Sequence, residues 1–248
     1  MVETLNPVVV IPARMASTRL PGKPLADIGG KPMIVQVLDR AREADIGPVI
    51  VACAEEAIAN AVRQAGGVAI LTRPDHPSGS DRVFEAVEKF DPDQKYDAVI
   101  NLQGDLPALD PKAVKASLAA LESHNADIAT LVAEIVDPLE LEDENAVKAV
   151  VSLEDGAQFG RALWFSRLKA PWGPGPHFHH IGIYAYRRTS LKKFISLPPS
   201  PLEKREKLEQ LRALEAGMRI DAALVDTVPL GVDTPQDLQR IRDMFNQL

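Results

Sequence analysis

The first half of the chain alternates short apolar runs with segments of helical periodicity. The apolar runs predict buried strands at residues 8–11, 48–52, 68–71 and 97–102. The periodic segments predict helices at residues 32–42, 55–65 and 81–90, and a further helix opens at Asp110-Pro111. Ser80 is the predicted N-cap of the third helix. This β-α-β-α order predicts an α/β fold with a mostly parallel, Rossmann-like sheet and helices on both faces.

The second half is richer in strands, which are predicted at residues 127–135, 147–153, 161–165 and 181–186. A helix is predicted from Leu202 to Ala216, and the last helix opens at Thr234-Pro235. No internal repeat or low-complexity linker marks a boundary in the sequence. We therefore predict a single domain over residues 1–248, with a first half (1–125), a smaller β-rich lobe (126–230) and a closing segment (231–248).

Bulk composition narrows the class of protein. With 248 residues, 46% of them hydrophobic, the chain can bury one large core. Its net charge of −7 disfavours nucleic-acid binding, which usually needs a basic balance. The single cysteine, Cys53, fits a reducing compartment and is most simply a core residue. Because neither a secretory signal nor an apolar run of ~20 residues is visible, we expect a cytoplasmic protein with no membrane partner.

The loop after the first predicted strand, residues 12–24, carries Arg14, Arg19 and Lys23 and no acid. In open α/β sheets, ligands bind beyond the carboxyl ends of the strands. The three cations could surround a triphosphate there, with Ser17, Thr18 and backbone N–H groups as further donors. A solvated basic loop is the alternative. The sequence contains neither a P-loop motif nor a G-x-G-x-x-G after the first strand.

Two aspartates stand at places suited to holding a metal ion. Asp105 follows a strong strand and a glycine, and Asp233 precedes the last predicted helix. Magnesium prefers hard oxygen ligands and often takes only one or two carboxylates together with substrate phosphates. Either aspartate could instead cap a turn or a helix, and sequence spacing cannot show that the two meet.

Seven segments of the chain resemble one family: Arg14–Leu25, Arg73–Arg82, Gln103–Asp105, His180–Tyr184, Ser200–Glu203, Leu208–Arg212 and Gly231–Pro235. In this order they are similar to the 3-deoxy-manno-octulosonate (Kdo) cytidylyltransferases, from about Val8 to the C-terminus. The first segment alone is shared loosely with other sugar nucleotidyltransferases, including CMP-sialate synthetases. The resemblance implies a nucleotidyltransferase sheet, CTP and Kdo as substrates, Mg²⁺ as cofactor and a homodimer, with product CMP-Kdo for lipopolysaccharide synthesis.

The resemblance also implies roles for single residues. Nucleotide binding falls to the first half, at Ala13, Arg14, Ser17, Thr18, Arg19, Lys23, Arg73, Ser78, Gly79 and Ser80. The sugar site falls to Gln103, His180, Tyr184, Glu209 and Gln210, mostly in the β-rich lobe, which is also the expected dimerisation lobe. Arg82 is assigned to the sugar carboxylate, with a helix-face ion pair as its alternative. Asp105 and Asp233 are the implied metal ligands, and with Lys23 the implied catalytic residues.

Two positions depart from the family's pattern. Ala54 and Leu106 stand where the family often has acids. The departures leave open a related sugar acid, such as 8-amino-Kdo or sialic acid. Further alternatives are a nucleotidyltransferase acting on a sugar 1-phosphate, and a non-catalytic nucleotide-binding module.

Trp172 lies among prolines and glycines at residues 171–176. Together with the neighbouring strands, this loop predicts an exposed apolar patch, which often marks an interface. We expect the loop at or near a two-fold subunit contact. A mobile loop over the sugar site is the alternative.

Overall fold

The chain divides into two compact units, one of which is built from both ends of the sequence. The structure is a computed structural model that describes residues 4–17 and 19–247. The first unit consists of the described residues within Asn6–Lys115 and Pro229–Leu248, and the second of those within Met1–Leu5 and Ala116–Val228. Among the described residues, no helix has the length and apolar character needed to cross a membrane. The predicted boundaries at residues 125 and 230 stay a prediction.

The first unit contains a four-stranded parallel sheet with strand order β5-β4-β1-β6. Its strands are β1 (Pro7–Ala13), the two-residue pair β2 (Asp27–Ile28) and β3 (Lys31–Pro32), β4 (Val49–Cys53), β5 (Val68–Leu71) and β6 (Ala98–Asn101). Its helices are a 3-10 turn (Lys23–Leu25), α1 (Met33–Glu43), α2 (Glu56–Gln64), α3 (Gly79–Phe90) and α9 (Pro235–Phe245). Helix α4 (Pro111–Ser123) contains the boundary between the units.

The predicted parallel strands form because their side chains are apolar on both faces. Val8, Val9, Val10 and Ile11 of β1 are fully buried between neighbours on either side. Cys53 is likewise fully buried at the end of β4, and burial raises the pKa of its thiol to about 11.

Helix α3 begins two residues earlier than predicted, because a different serine caps it. The side chain of Ser78, not Ser80, accepts a hydrogen bond from the Asp81 amide, at 3.3 Å. Ser80 therefore lies inside the first turn and is buried. This places Ser78 and Gly79 at the exposed start of the helix.

The C-terminal helix α9 closes the first unit. Thr234 and Asp237 form a capping box at its start. An apolar cluster joins the helix to the short hairpin and to α1, with members Ile28, Met33, Val232, Leu238 and Ile241. Because Val232 is fully buried in this cluster, the next residue, Asp233, is held in place although it is more than 200 residues away from the basic loop in sequence.

The second unit is mostly antiparallel. Its strands are β7 (Ile128–Glu134), β8 (Lys148–Ser152), β9 (Phe159–Ser166), β10 (Phe178–Arg187) and β11 (Ile220–Leu224). Their order is β10-β7-β11-β9-β8, and only β11 and β7 pair in parallel. The α/β class is thus shown, but the prediction of a mostly parallel sheet describes the first unit only, and the chain as a whole has a mixed α/β fold.

The helical part of the second unit differs from the prediction. Its helices are α5 (Pro138–Glu142), α6 (Arg188–Ser196), α7 (Pro201–Glu206) and α8 (Leu211–Glu215). The single helix predicted from Leu202 to Ala216 is wrong, because Lys207 adopts a left-handed conformation, with φ 57°, that ends α7. The sequence did not predict β11 either, since Asp221 interrupts its apolar run. That carboxylate is buried and paired with Arg219.

Candidate active site

The basic loop borders a cavity at the carboxyl end of β1. The cavity has a volume of about 430 Å³, which lies within the usual size range of small-molecule sites. We call it the basic cavity; it is lined by Pro12, Ala13, Arg14, Ala16, Ser17, Arg19, Lys23, Pro24, Ser78, Gly79, Arg82, Gln103, Gly104 and Asp105. Seven of the residues assigned from sequence to the nucleotide line it: Ala13, Arg14, Ser17, Arg19, Lys23, Ser78 and Gly79. Thr18 lies outside the described residues.

Local hydrogen bonds shape the basic loop. Ser17 Oγ accepts from the Leu20 amide at 3.3 Å. The amide of Met15 donates to Glu55 Oε2 at 3.1 Å, which ties the loop to the end of β4. Glu55 had no predicted role; it follows Ala54, the position where the family often has an acid. A carboxylate therefore does lie at this strand end, one residue later and turned to the loop backbone.

Lys23 joins the two predicted metal ligands. Its Nζ lies 2.7 Å from Asp105 Oδ2 and 2.9 Å from Asp233 Oδ1. Arg19 Nη2 lies 3.0 Å from Asp233 Oδ2. Burial lowers the pKa of Lys23, but the charge and hydrogen bond of Asp105, and then those of Asp233, outweigh this and raise it above its ordinary value. The structure thus brings both aspartates to a single cation.

A backbone hydrogen bond keeps the two aspartates adjacent. The Val232 amide donates to the Asp105 carbonyl at 3.0 Å. Leu106 is buried and would be 3.8 Å from a Cβ on Gly231, so it packs against the turn that carries Asp233. The leucine that replaces an acid in the family's pattern therefore contributes to the core here.

These residues fit a divalent cation. The Lys23 ammonium already stands where one positive charge faces an oxygen of each aspartate at 2.9 Å or less. Within residues 4–17 and 19–247, no three or more His, Cys, Asp or Glu side chains are grouped so that they could hold a metal by themselves. Two carboxylates are what Mg²⁺ commonly takes when substrate phosphates and water supply its remaining ligands.

Gly104 is required for close packing within the protein. A Cβ at this position would lie 2.8 Å from the Pro12 carbonyl oxygen. The sequence suggested that the glycine allows close approach to a ligand. The structure shows that the approach is to the backbone of β1, which brings Asp105 beside the basic loop.

Arg82 holds the loop between β5 and α3. The side chain is buried, and its guanidinium donates to Thr72 Oγ1 at 2.6 Å and to the Arg73 carbonyl at 3.1 Å. Burial lowers the pKa of this guanidinium. Neither of these contacts is the helix-face ion pair considered above, and the side chain also lines the basic cavity. Arg73 and Ser80 are not among the lining residues, since the Arg73 side chain is 66% exposed and Ser80 is buried inside α3.

Glu85 of α3 holds the same loop from the other side. It accepts hydrogen bonds from the Arg73 amide at 3.2 Å, from Lys89 Nζ at 2.6 Å and from His76 Nε2. Burial would raise the pKa of Glu85, but hydrogen bonds from Lys89, His76 and the Arg73 amide lower it to about 2. Its folded-state pKa lies below the ordinary 4.5, so its contribution to stability is present above pH 4.5 and is lost as the pH falls toward 2.

We therefore expect Glu85→Gln to reduce the acid sensitivity of the protein. Urea unfolding between pH 6 and pH 3 should show a smaller loss of unfolding free energy in the variant than in the wild type. Glu43→Gln, which alters an exposed helix carboxylate paired with Arg40, is the control and should leave the pH dependence as in the wild type. Equal acid sensitivity of Glu85→Gln and wild type would contradict the role of Glu85.

Two of the residues predicted to bind the sugar, His180 and Tyr184, belong to a cluster of rings in the second unit. His180 of β10 packs edge-on against Phe165 with centroids 4.9 Å apart, and its ring lies 5.5 Å from that of Tyr184. Burial and the neighbouring His179 lower the pKa of His180 to about 3. Burial, Tyr186 and Glu209 together raise the pKa of Tyr184 well above its ordinary value. Both side chains are therefore neutral near pH 7.

An ion pair fixes the turn that carries Glu209 and Gln210. Arg212 Nε donates to Glu203 Oε2 at 2.9 Å, and its Nη2 donates to Oε1 at 2.5 Å. This paired geometry joins α7 to α8 across the turn. The Gln210 side chain is buried, and its Nε2 has no hydrogen-bond partner in the described structure. A buried amide donor of this kind is suited to a ligand oxygen.

Comparison with known proteins identifies the family of the chain. Residues 8–220 match the family model described as Cytidylyltransferase. The chain is 65% identical to the 3-deoxy-manno-octulosonate cytidylyltransferase of Rhodospirillum centenum, over 97% of this chain and 94% of that protein. It is 61% identical to the protein of that name from Paramagnetospirillum magneticum, over 97% and 98%. The chain belongs to the 3-deoxy-manno-octulosonate cytidylyltransferase family.

A solved structure supports the same assignment. The chain superposes on CMP:2-keto-3-deoxy-manno-octonic acid synthetase complexed with CTP with a TM-score of 0.89 and 41% identity, covering 97% of this chain and 98% of the other.

Proposed function

We infer that the protein is a nucleotidyltransferase that transfers CMP from CTP to Kdo and gives CMP-Kdo. The observation that carries this conclusion is the basic cavity, which Lys23 and Asp105 line and where Lys23 also binds Asp233. The relatives that match nearly the whole chain are named for this activity. The two substrates repel each other, since CTP carries several negative charges and Kdo a carboxylate. A site rich in cations offsets that repulsion.

We propose that the reaction is an in-line displacement at the α-phosphorus of CTP. The anomeric 2-hydroxyl of Kdo loses its proton to water and forms the new P–O bond. The bond from the α-phosphorus to the oxygen that bridges the α- and β-phosphates breaks, and pyrophosphate leaves with that oxygen. Arg14, Arg19 and Lys23 hold the phosphates in line and offset the charge of the transition state. Positioning and electrostatics supply most of the catalysis in such transfers, so no protein general base is needed.

Asp105 and Asp233 are the proposed ligands of Mg²⁺. When bound, the ion polarises phosphate oxygens and lowers the pKa of an attacking hydroxyl. For the aspartates to bind it, Lys23 must release them. Its ammonium then becomes available to the phosphates of a CTP bound in the same cavity.

The residues proposed for the sugar are, within the second unit, His180, Tyr184, Glu209 and Gln210. Within the first unit they are Gln103 and Arg82. Tyr184 and Gln210 supply neutral donors, and Arg82 supplies the charge that a sugar carboxylate requires. Arg73 and Ser80, assigned from sequence to the cytosine and ribose, stay proposals without support from the cavity lining. We also propose that the product serves lipopolysaccharide synthesis and that the protein acts in the cytoplasm.

A pyrophosphate-release assay tests the function. CTP, UTP and ATP are each combined with Kdo, 8-amino-Kdo, sialic acid and a sugar 1-phosphate. We expect release with CTP and Kdo. Faster release with 8-amino-Kdo or another sugar would identify a different acceptor. Binding of Mg·CTP without release under any combination would indicate a non-catalytic nucleotide-binding module and would contradict the proposed function.

We propose that the protein is a homodimer that covers an apolar patch of the second unit. Three side chains of this patch are largely exposed: Val136 at 86%, Leu139 at 80% and Trp172 at 99%. Val136 and Trp172 each follow a residue that contacts His177. The backbone carbonyl of His177 accepts from Ile135 N, and its Nε2 lies 3.1 Å from the Pro171 carbonyl oxygen. Such a patch is typical of an interface.

Trp172→Glu is expected to weaken this dimer, because it places a charge in an apolar contact. Light scattering at micromolar concentration should give a dimeric mass for the wild type and a larger monomer fraction for the variant. Val68→Glu changes an exposed apolar residue of the first unit and should leave the mass unchanged. A monomeric wild type would refute the dimer, and a dimer unaffected by Trp172→Glu would place the tryptophan outside the contact.

A further inference from the structure

Thr130 is a fully buried residue of β7 to which the sequence assigned no role. Its hydroxyl oxygen contacts three groups of β10: His180 Nε2 at 3.0 Å, the Ile181 carbonyl oxygen at 3.1 Å and the Ile183 carbonyl oxygen at 3.0 Å. The pairing of β10 with β7 shifts register between Ile181 and Ala185. The hydroxyl thus lies at a bulge, where it supplies a partner to carbonyls beside the interrupted ladder.

The partner to which the Thr130 hydroxyl donates its single proton determines which ring nitrogen of His180 is protonated. A hydroxyl has one proton to donate and lone pairs with which to accept. If Thr130 donated to His180, two carbonyl oxygens would face the hydroxyl oxygen near 3 Å without a proton between them. If it donates to a carbonyl, its oxygen is free to accept from the ring. His180 then carries its proton on Nε2, and Nδ1 has a free lone pair.

Nδ1 is free to accept from a ligand. Among the described residues Nδ1 has no hydrogen-bond partner. The atom is not fully shielded from solvent. Burial holds the pKa of His180 at about 3, so the ring is neutral at the pH of an ordinary assay and Nδ1 is not a donor.

We infer that Thr130 is a positioning residue that fixes His180 as the Nε2–H tautomer, so that Nδ1 accepts a hydrogen bond from a hydroxyl of the sugar. The assignment of the ligand rests on the proposed function, whereas the tautomer does not. This tautomer makes His180 selective for ligands with a hydroxyl donor, because a sugar analogue without a donor at that position cannot hydrogen-bond to Nδ1.

Two variants separate this role from a purely structural one. Thr130→Val keeps the shape of the side chain but removes its hydroxyl, and Thr130→Ser keeps the hydroxyl. Long-range ¹H–¹⁵N NMR on protein with ¹⁵N-labelled histidines reports which ring nitrogen carries the proton. With five histidines in the chain, the His180 signals can be assigned by their loss in His180→Gln. No ligand is needed for this measurement.

In the wild type and Thr130→Ser, we expect the proton on Nε2; in Thr130→Val, we expect the Nδ1–H form to become populated. A wild-type ring protonated on Nδ1 would overturn the inference, and so would an unchanged tautomer in a folded Thr130→Val. If that variant does not fold, the wild-type and Thr130→Ser spectra decide the matter.

Kinetics test the ligand part of the inference. Thr130→Val should raise the KM for Kdo about 3- to 10-fold, the effect of one neutral hydrogen bond, and leave the KM for CTP within about twofold. Thr130→Ser should match the wild type. An unchanged KM for Kdo would overturn the sugar contact. Absence of turnover with Kdo in the wild type would instead contradict the proposed function and leave the tautomer result standing.

Discussion

Asp105→Asn and Asp233→Asn are each expected to lower turnover about 10³-fold or more while the protein stays folded, since each removes a carboxylate from a charge-stabilising site. Asparagine matches the shape of aspartate but carries no charge and binds Mg²⁺ weakly. Pyrophosphate release with CTP and Kdo at saturating Mg²⁺ measures the effect, and circular dichroism with thermal melting reports folding.

Asp39→Asn is a matched control for this prediction. Asp39 also pairs with a lysine of the first unit at 2.7 Å, but that lysine is Lys31 and not the Lys23 that Asp105 and Asp233 share. Its substitution should leave turnover within about twofold, as is usual for an exposed ion pair. Near-wild-type turnover in both Asp105→Asn and Asp233→Asn would show that the two carboxylates do not hold the metal.

Lys23→Ala should weaken binding of Mg·CTP by roughly 10- to 100-fold, since a charge-assisted hydrogen bond contributes about 1.5–3 kcal/mol. Arg19→Ala should act in the same direction but less, because its side chain is 64% exposed, whereas that of Lys23 is 14% exposed. Isothermal titration measures both affinities. Lys31→Ala, a cation of the same unit that is not among the cavity-lining residues, is the control.

Removal of Lys23 has a second expected effect, which differs in sign. Without its ammonium, Asp105 and Asp233 lose a shared counter-ion, so a divalent cation no longer competes with it. Binding of Mn²⁺ in the absence of nucleotide, followed by electron paramagnetic resonance, should become tighter in Lys23→Ala than in the wild type.

If CTP affinity is unchanged in both Lys23→Ala and Arg19→Ala, the basic loop is a solvated surface.

Much of the first unit could be predicted from sequence, because β1 and β4 are continuous apolar runs that burial on both faces requires, and β5 is equally apolar although it is partly exposed. The second unit was harder to predict. Its strand β11 contains Asp221, whose charge is compensated by Arg219, a pairing that no local pattern reveals. The break between α7 and α8 depends on the backbone conformation of Lys207, which is not a residue type that usually ends a helix in this way.

The site shows the same limit. The residue types and motifs were visible, but the sequence separates Lys23 from Asp105 by 82 positions and from Asp233 by 210. The close packing of Gly104 against β1, the apolar cluster around α9 and the hydrogen bond from Val232 to Asp105 bring them together. Thr130 was missed because a threonine in an apolar strand has the pattern of a core residue, and its role depends on the register of a neighbouring strand.

The return of residues 229–247 to the first unit affects how the protein is made. A chain that has been synthesised only as far as residue 228 contains the basic loop and Asp105, but neither Asp233 nor the helix that supports it. Lys23 then has one carboxylate partner instead of two. Chains cut short by premature termination or by a protease that removes this segment therefore lack half of the proposed metal site, so activity reports that synthesis of the last helix has been completed.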